Sequence, residues 1–246
     1  MKSYAELFET RGSSYHHAML IFPDARNQEF QQLVSAVSIN SDMIIADIPA
    51  GGKYLKRFLP IGCTLHEHEP CTTFEDISNT SSHHNSIELL PLPWENDSHD
   101  IVFSLAGVHH IEDKRPLFKD INRVTKEDGY FVLSDVPSNS KVSTFLDGFV
   151  GDNNSTGHEG VFLDSTTLDD LHESGWEVID SKINEIHWIF PSRYAMSLFC
   201  QSLFDIRYAS LQEIEDTIDR VLGVVEFNNG TIGMNWSLMT IISRKQ

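Results

Sequence analysis

Positive charge is what this chain of 246 residues has least of: 18 Lys and Arg stand against 36 Asp and Glu, a formal net charge of -18 at pH 7. Nucleic-acid binding draws its affinity from Lys and Arg on phosphates, so the balance argues against a nucleic-acid partner. It argues equally against docking on an anionic membrane leaflet. Cysteine is scarce too. Cys63, Cys71 and Cys200 are too few for a closed disulfide framework and read as reduced thiols of a cytoplasmic protein. No apolar run approaches the roughly 20 residues of a membrane span. The N-terminal stretch MKSYAELFETRG has no apolar signal-peptide centre.

Several local motifs are also missing. There is no Cys-x2-Cys pair and no His-x3-His helix pair, so no metal is expected despite 12 histidines. His-Glu-His-Glu at 66–69 does not change this, because neighbouring residues of a strand face opposite sides. The run after the first expected strand holds only Gly51-Gly52, and no Tyr-x3-Lys pair occurs. Both absences count against a nicotinamide-dependent oxidoreductase.

What is present is an alternation of strand and helix patterns. MIIADI (43–48) is a continuous apolar run closed by Pro-Ala-Gly-Gly, the signature of a strand buried on both faces. KYLKRFLP (53–60) reads as a short helix, CTLHEHEP (63–70) as a strand and SIELL (86–90) as a weaker strand. DIVFSL (100–105) and YFVLSDV (130–136) are strands around a helix at 115–126, whose Leu117, Phe118, Ile121 and Val124 share one face. A helix at 165–175, started near Thr166 or Thr167 and ended at Gly175, precedes the strand WEVID (176–180). Helices at about 191–205 and 210–222 lead to a last strand at 237–243.

Such alternation predicts an α/β protein with a doubly wound, mostly parallel, seven-stranded sheet. The expected organisation is N-terminal helices over 1–40, an α/β core over 41–183 with an insertion near 137–163, a helical cap over 184–230, and a returning strand over 231–246. Sheets of this kind bind ligands beyond the carboxyl ends of their strands. Four strand ends carry informative residues: Asp47 to Lys53, Glu67 with Glu69, Glu88 with the Leu-Pro-Trp at 92–94, and Ser104 to Asp113. Glu67 lies twenty positions after Asp47, a spacing that suits a carboxylate accepting hydrogen bonds from ribose hydroxyls. Glu69 is on the same strand face and is the alternative.

The run ELLPLPWENDSHDIVFSLAGVHHIED followed by FKDINRVTKEDGYFVLSDV resembles the class I S-adenosylmethionine-dependent methyltransferases of the small-molecule type, over roughly residues 40–180. The resemblance implies a Rossmann-like methyltransferase fold, S-adenosylmethionine as cofactor, S-adenosylhomocysteine as product and methyl transfer to a small molecule by in-line displacement under a helical lid. It implies that Asp47, Pro49, Ala50 and Gly51 form the turn beside the methionine part of the cofactor, and that Glu67 or Glu69 holds the ribose. Glu88 and Leu89 would contact the adenine, and the backbone of Ser104 and Leu105 the methionine moiety. His109 and His110 would face the transfer site as candidate catalytic residues, with Tyr15, His16, His17 and His158 as further candidate bases. Pro49 and Lys53 stand where the family prefers glycine, which keeps open a non-catalytic module that binds the cofactor or its product.

The acceptor region has an aromatic character, from Phe145, Phe149, Phe162, Trp188, Phe190, Tyr194, Phe199 and Phe204. An apolar or aromatic acceptor is therefore expected. Between Lys141 and Lys182 there is no Lys or Arg, and nine acids fall there. They predict an acidic flank at the entrance, or a solvated acidic surface. Oligomeric state is not legible.

Overall fold

The computed structural model describes residues 4–74 and 88–246. In chain order the elements are α1 (Tyr4–Ile21), α2 (Asn27–Val34), β1 (Ile44–Asp47), a 3-10 turn (Leu55–Phe58), β2 (Thr64–Glu67), β3 (His99–Leu105) and a 3-10 turn (Val108–His110). They continue with α3 (Arg115–Val124), β4 (Thr125–Asp135), α4 (Lys141–Phe145), a π turn (Leu146–Val150), α5 (Gly151–Asn153) and α6 (Ser165–Glu173). The rest are β5 (Trp176–Phe190), α7 (Arg193–Leu203), α8 (Leu211–Val221), β6 (Val224–Glu226) and β7 (Ile232–Lys245).

The seven strands form one sheet in the order β2-β1-β3-β4-β7-β5, with β6 on β7. β1 to β4 pair in parallel, and β7 runs antiparallel to β4, β5 and β6. Six strands therefore point one way and β7 alone opposes them. The continuous apolar runs are explained by burial on both faces. On β3, Ile101 and Phe103 enter one core cluster while Val102 enters the other. On β4, Val132 faces the first and Phe131 and Leu133 the second. α3 and α6 cover the second face, where Phe118 and Leu171 are fully buried and the indole N–H of Trp176 donates to the Phe118 carbonyl at 3.0 Å. α2, α4, α7 and α8 supply the first, larger cluster.

Some expectations are corrected. The stretch 53–60 forms only the 3-10 turn at Leu55–Phe58. Gly51, Gly52 and Lys53 all have positive φ, at 49°, 95° and 64°, and three left-handed residues in a row cannot start a right-handed helix. Of the strand expected at 86–90, residues 86 and 87 lie outside the described residues and 88–90 are irregular. The seventh strand is instead β6. α6 starts on Asp164, whose side chain accepts from the Thr166 N–H while Thr167 completes the capping box. The end strands are longer than expected: β5 and β7 pair from Trp176 with Lys245 to Phe190 with Ile232.

The ends of β1 and β3 touch through one glycine. A Cβ on Gly107 would lie 2.6 Å from Cγ of Pro49, closer than packed carbon atoms can come. We predict that Gly107→Ala destabilises the fold by about 1–3 kcal/mol through overpacking, read as a lower urea midpoint with unchanged m-value.

Candidate active site

Three carboxyl groups gather where β1 and β2 end side by side. Asp47 pairs in register with Glu67, and Glu69 follows two residues later. Asp47 is buried, and its carboxyl is held well above the usual carboxylate range, first by burial and then by the like charges of Glu67 and Glu69. Burial also raises Glu67, although Lys53 and Lys56 pull the other way. One carboxylate oxygen of Glu67 is buried without a hydrogen-bond partner. Crowded acids of this kind favour a ligand that brings positive charge or hydroxyl donors.

Glu69 is differently occupied. One oxygen accepts from the Gly51 N–H at 2.7 Å and the Tyr4 hydroxyl at 3.0 Å, and the other from the Cys71 N–H at 2.9 Å. It clamps the glycine turn and α1 together, and only Glu67 keeps an oxygen to offer. In the turn itself, Ala50 N–H donates to the His68 carbonyl at 3.0 Å. A Cβ placed on Gly51 would meet nothing within 4 Å, so this backbone borders open space that a ligand can approach. Pro49 packs on Gly107.

Glu88 is exposed and Leu89 half-buried. The His68 ring Nε2 lies 3.2 Å from the Glu88 carbonyl and 3.1 Å from that of Leu89, tying this segment to the end of β2. Ser104 is fully buried and its hydroxyl has no partner, while Leu105 ends β3. Asp47, Gly51, Glu67, Ser104 and Leu105 thus share one strand-end region, with the Glu88–Leu89 backbone held beside β2.

The second part of the site surrounds His109 and His110. Both are buried in the 3-10 turn after β3. His109 Nδ1 lies 2.6 Å from Asp135 at the end of β4, and the His109 backbone N–H donates to the other Asp135 oxygen at 3.0 Å. Burial would raise the Asp135 carboxyl, but the His109 ring and two backbone N–H groups outweigh it and hold it below the usual range. An ionised Asp135 fixes the proton on Nδ1 and leaves Nε2 of His109 as an acceptor. Burial drives His110 well below the usual imidazole range, with help from His109, His158 and Arg11.

His158 joins them from the segment after α5, with Nδ1 on Asp147 at 2.7 Å. The three histidines offer ring nitrogens within 4.8 Å of one another. The expectation of no metal rested on local patterns, and it missed a trio that the fold assembles from two distant segments. These histidines border a cavity of about 60 Å³ whose wall also includes Phe8, Arg11, Tyr15, Arg26, Glu29, Leu146, Trp188, Phe204 and Trp236. Trp188 and Phe204 are walls of it, as the aromatic character suggested. Phe145, Phe190 and Phe199 are fully buried core, and Tyr194 is 63% exposed. His16 hydrogen-bonds the Tyr54 hydroxyl at 2.6 Å. Arg11, Arg26, Glu29 and Asp135 were missed because no motif marks them.

Comparison with known proteins bears on the same strand ends. A family model described as a methyltransferase domain matches residues 50–133, from the glycine turn through β4. Over these strand ends the chain is thus similar to a methyltransferase domain. An uncharacterised methyltransferase, YcgJ of Bacillus subtilis, is 25% identical over 122 residues, 45% of this chain and 47% of that protein. The match thus spans about half the length of that relative. The malonyl-[acyl-carrier protein] O-methyltransferase of Marinomonas sp. is 24% identical over 200 residues, 78% of this chain and 72% of that one. In fold, a phosphoethanolamine N-methyltransferase of Haemonchus contortus, solved with S-adenosylhomocysteine and phosphomonomethylethanolamine, superposes with a TM-score of 0.60 at 14% identity. That superposition covers 99% of this chain and 60% of the other. The family's cofactor is S-adenosylmethionine, and the residues present fit it: unpaired carboxylate oxygen on Glu67, open backbone at Gly51 and crowded acids that favour a cation. Among the described residues, no helix is long and apolar enough to cross a membrane.

Asp47 generates a pH-dependent prediction. A carboxyl raised above its unfolded value stabilises the fold at low pH and loses that stabilisation as pH rises through the folded value. At neutral pH an ionised Asp47 therefore weakens the ligand-free protein. Asp47→Asn is expected to raise its Tm at pH 7 and to change it less at pH 5. The same variant should bind S-adenosylhomocysteine about ten- to a hundredfold more weakly, the loss of one hydrogen bond to a charged group. Melting curves at both pH values and titration calorimetry read the two effects.

Proposed function

We propose that the protein transfers a methyl group to a small-molecule acceptor bound in the cavity beside His109. The observation that carries this reading is the adjacency of two unlike regions at the ends of β1 and β3. An acidic edge borders open glycine backbone, and a histidine backed by a buried aspartate borders a cavity. Pro49 and Gly107, in contact, join them.

In this reading Glu67 accepts from the ribose hydroxyls, and Asp47 and the Ala50–Gly51 backbone hold the methionine end. The backbone at Glu88 and Leu89 borders the adenine, and Ser104 and Leu105 flank the methionine moiety. S-adenosylmethionine, when bound, supplies a methyl group on a positive sulfonium. The chain's own residues mainly position the acceptor for in-line displacement, since bringing two reactants into line is worth several kcal/mol of barrier. His109 Nε2 takes the proton of a hydroxyl or amine acceptor, and Asp135 holds the ring and stabilises the imidazolium. His110, kept neutral by its burial, packs against His109 at 4.0 Å between ring centres and shields it from water. α1, α2, α7 and α8, with the segment 137–163, form the cover of the acceptor cavity, and the core over 41–183 carries the cofactor. A non-catalytic cofactor-binding module is the alternative, and the His109–Asp135 pair beside a cavity favours the enzyme.

Titration calorimetry with S-adenosylmethionine and S-adenosylhomocysteine tests the core of the reading. Binding of both is expected, and no heat from folded protein would overturn it. With labelled cofactor and an acceptor panel, Asp135→Asn should leave cofactor affinity within about twofold. Transfer should fall by roughly a hundredfold or more, the range of a mispositioned general base. Equal transfer by wild type and variant would remove His109 as the base.

A further inference from the structure

Two arginines are buried in the wall of the acceptor cavity, and only one has its partners. Arg26 donates from Nε to Glu29 at 2.8 Å and from Nη2 to the other Glu29 oxygen at 2.5 Å. Its remaining Nη1 donates to the Tyr15 hydroxyl. Glu29 is filled in turn by the Trp188 indole N–H at 2.7 Å. That group is closed.

Arg11 is not. It is only 4% exposed, and both Nε and Nη1 are buried with no hydrogen-bond partner. The nearby Asp205 acts on it through space, but its carboxylate already accepts from Arg207 Nε at 3.0 Å and from the Ser155 hydroxyl. The indole Nε1 of Trp236, which lines the same cavity, is also buried and unpartnered. Among the described residues that line this cavity, the fully buried side-chain atoms without a partner are Nε and Nη1 of Arg11 and Nε1 of Trp236, all donors. A buried donor left unpaired costs about 1–3 kcal/mol, and more where it is charged. Such groups call for an acceptor, and a charged one beside a guanidinium.

We propose that the acceptor carries a carboxylate that docks on one edge of the Arg11 guanidinium and on Trp236 Nε1, and a separate hydroxyl or amine that faces His109. The inference rests on the methyl-transfer reading above and names its substrate class. The carboxylate is the anchor and not the nucleophile, because charge-assisted hydrogen bonds to its oxygens lower their nucleophilicity. The other end must lose a proton, and His109 Nε2 is there to take it. A cavity of about 60 Å³ has room for roughly five non-hydrogen atoms, taking about 10–15 Å³ for each water-sized group. That suits the polar head of a small hydroxy or amino acid.

The histidine trio offers a competing use of the same wall, as a metal site with Asp135 and Asp147 as outer carboxylates. The arrangement has suitable spacing. Three imidazoles on a zinc ion at about 2.0–2.1 Å place their ring centres about 5 Å apart; His158 lies 5.5 Å from His109 and 5.3 Å from His110, while His109 and His110 stand closer, at 4.0 Å. Arg11 decides between them. Its charge acts on His110 and His158 in a buried setting, where repulsion of a divalent cation is weakly screened. The same charge attracts an anion.

The test uses the full chain saturated with S-adenosylhomocysteine, so that loss of cofactor binding is read separately. Glycolate and lactate, of five and six non-hydrogen atoms, are titrated beside their primary amides, which keep the shape and the hydroxyl but not the charge. The acids are expected to bind at least tenfold more tightly. Arg11→Gln should abolish that preference. Trp236→Phe, which keeps the ring, should weaken acid binding severalfold with amide binding unchanged. Equal affinity for acids and amides in wild type would overturn the proposal, as would an intact preference in a folded Arg11→Gln variant. Stoichiometric binding of zinc chloride that is lost in His158→Ala would overturn it in favour of the metal.

Discussion

Glu69 is the residue on which the site's geometry hangs. A single carboxylate holds the backbone of the glycine turn, the chain after β2 and the hydroxyl of Tyr4 at the start of α1. Hydrogen bonds to an ionised acceptor are about twice as strong as neutral ones. Three of them on a largely buried group fix their donors relative to one another. Without it, the Gly51 N–H would lose its partner at the end of β2, and α1, which brings Phe8, Arg11 and Tyr15 to the cavity, would lose the bond from the Tyr4 hydroxyl.

The spacing arguments of the sequence could not assign this role. Glu67 and Glu69 share a strand face, and both suit a ribose acid. The difference is made by Tyr4, which is 65 residues away in the chain. What was legible is what local periodicity controls. The strands at 43–48, 100–105 and 130–136 read as apolar runs because both faces are buried. The four core residues of α3 read as one face of a helix. The 53–60 helix failed for a reason the residues do contain, since two glycines and the following lysine adopt positive φ. The histidine trio and the two arginines failed for a different reason. Their meaning depends on which side chains the fold leaves unpaired, and composition carries no trace of that.

The acidic composition also reads differently on the structure. Several of the nine acids between Lys141 and Lys182 have defined partners. Asp147 accepts from the Gly160 N–H and holds His158, Asp164 caps α6, and Glu177 pairs with Arg244 at 2.7 Å. In the wall of the cavity beside His109 the unpaired charge is instead the positive charge of Arg11, a local feature of opposite sign to the chain as a whole. Local fields in a low-dielectric pocket outweigh the screened field of distant surface charge, so net charge is a poor guide to the acceptor.

The antiparallel strand β7 has a consequence for how the chain reaches this state. β4 and β5 are neighbours in sequence but share no hydrogen bond, because β7 lies between them. Ser134 on β4 meets Thr240 on β7 across 106 residues, at 2.9 Å between their hydroxyls. Until β7 inserts, β4 has an open edge on one side and β5, fifteen residues long, has no partner in the sheet. Closing so long a loop is entropically costly, and folds dominated by such pairings acquire them slowly. The cavity beside His109, which takes Trp236 from β7, therefore comes into being only when the central strand of this half of the sheet slots home.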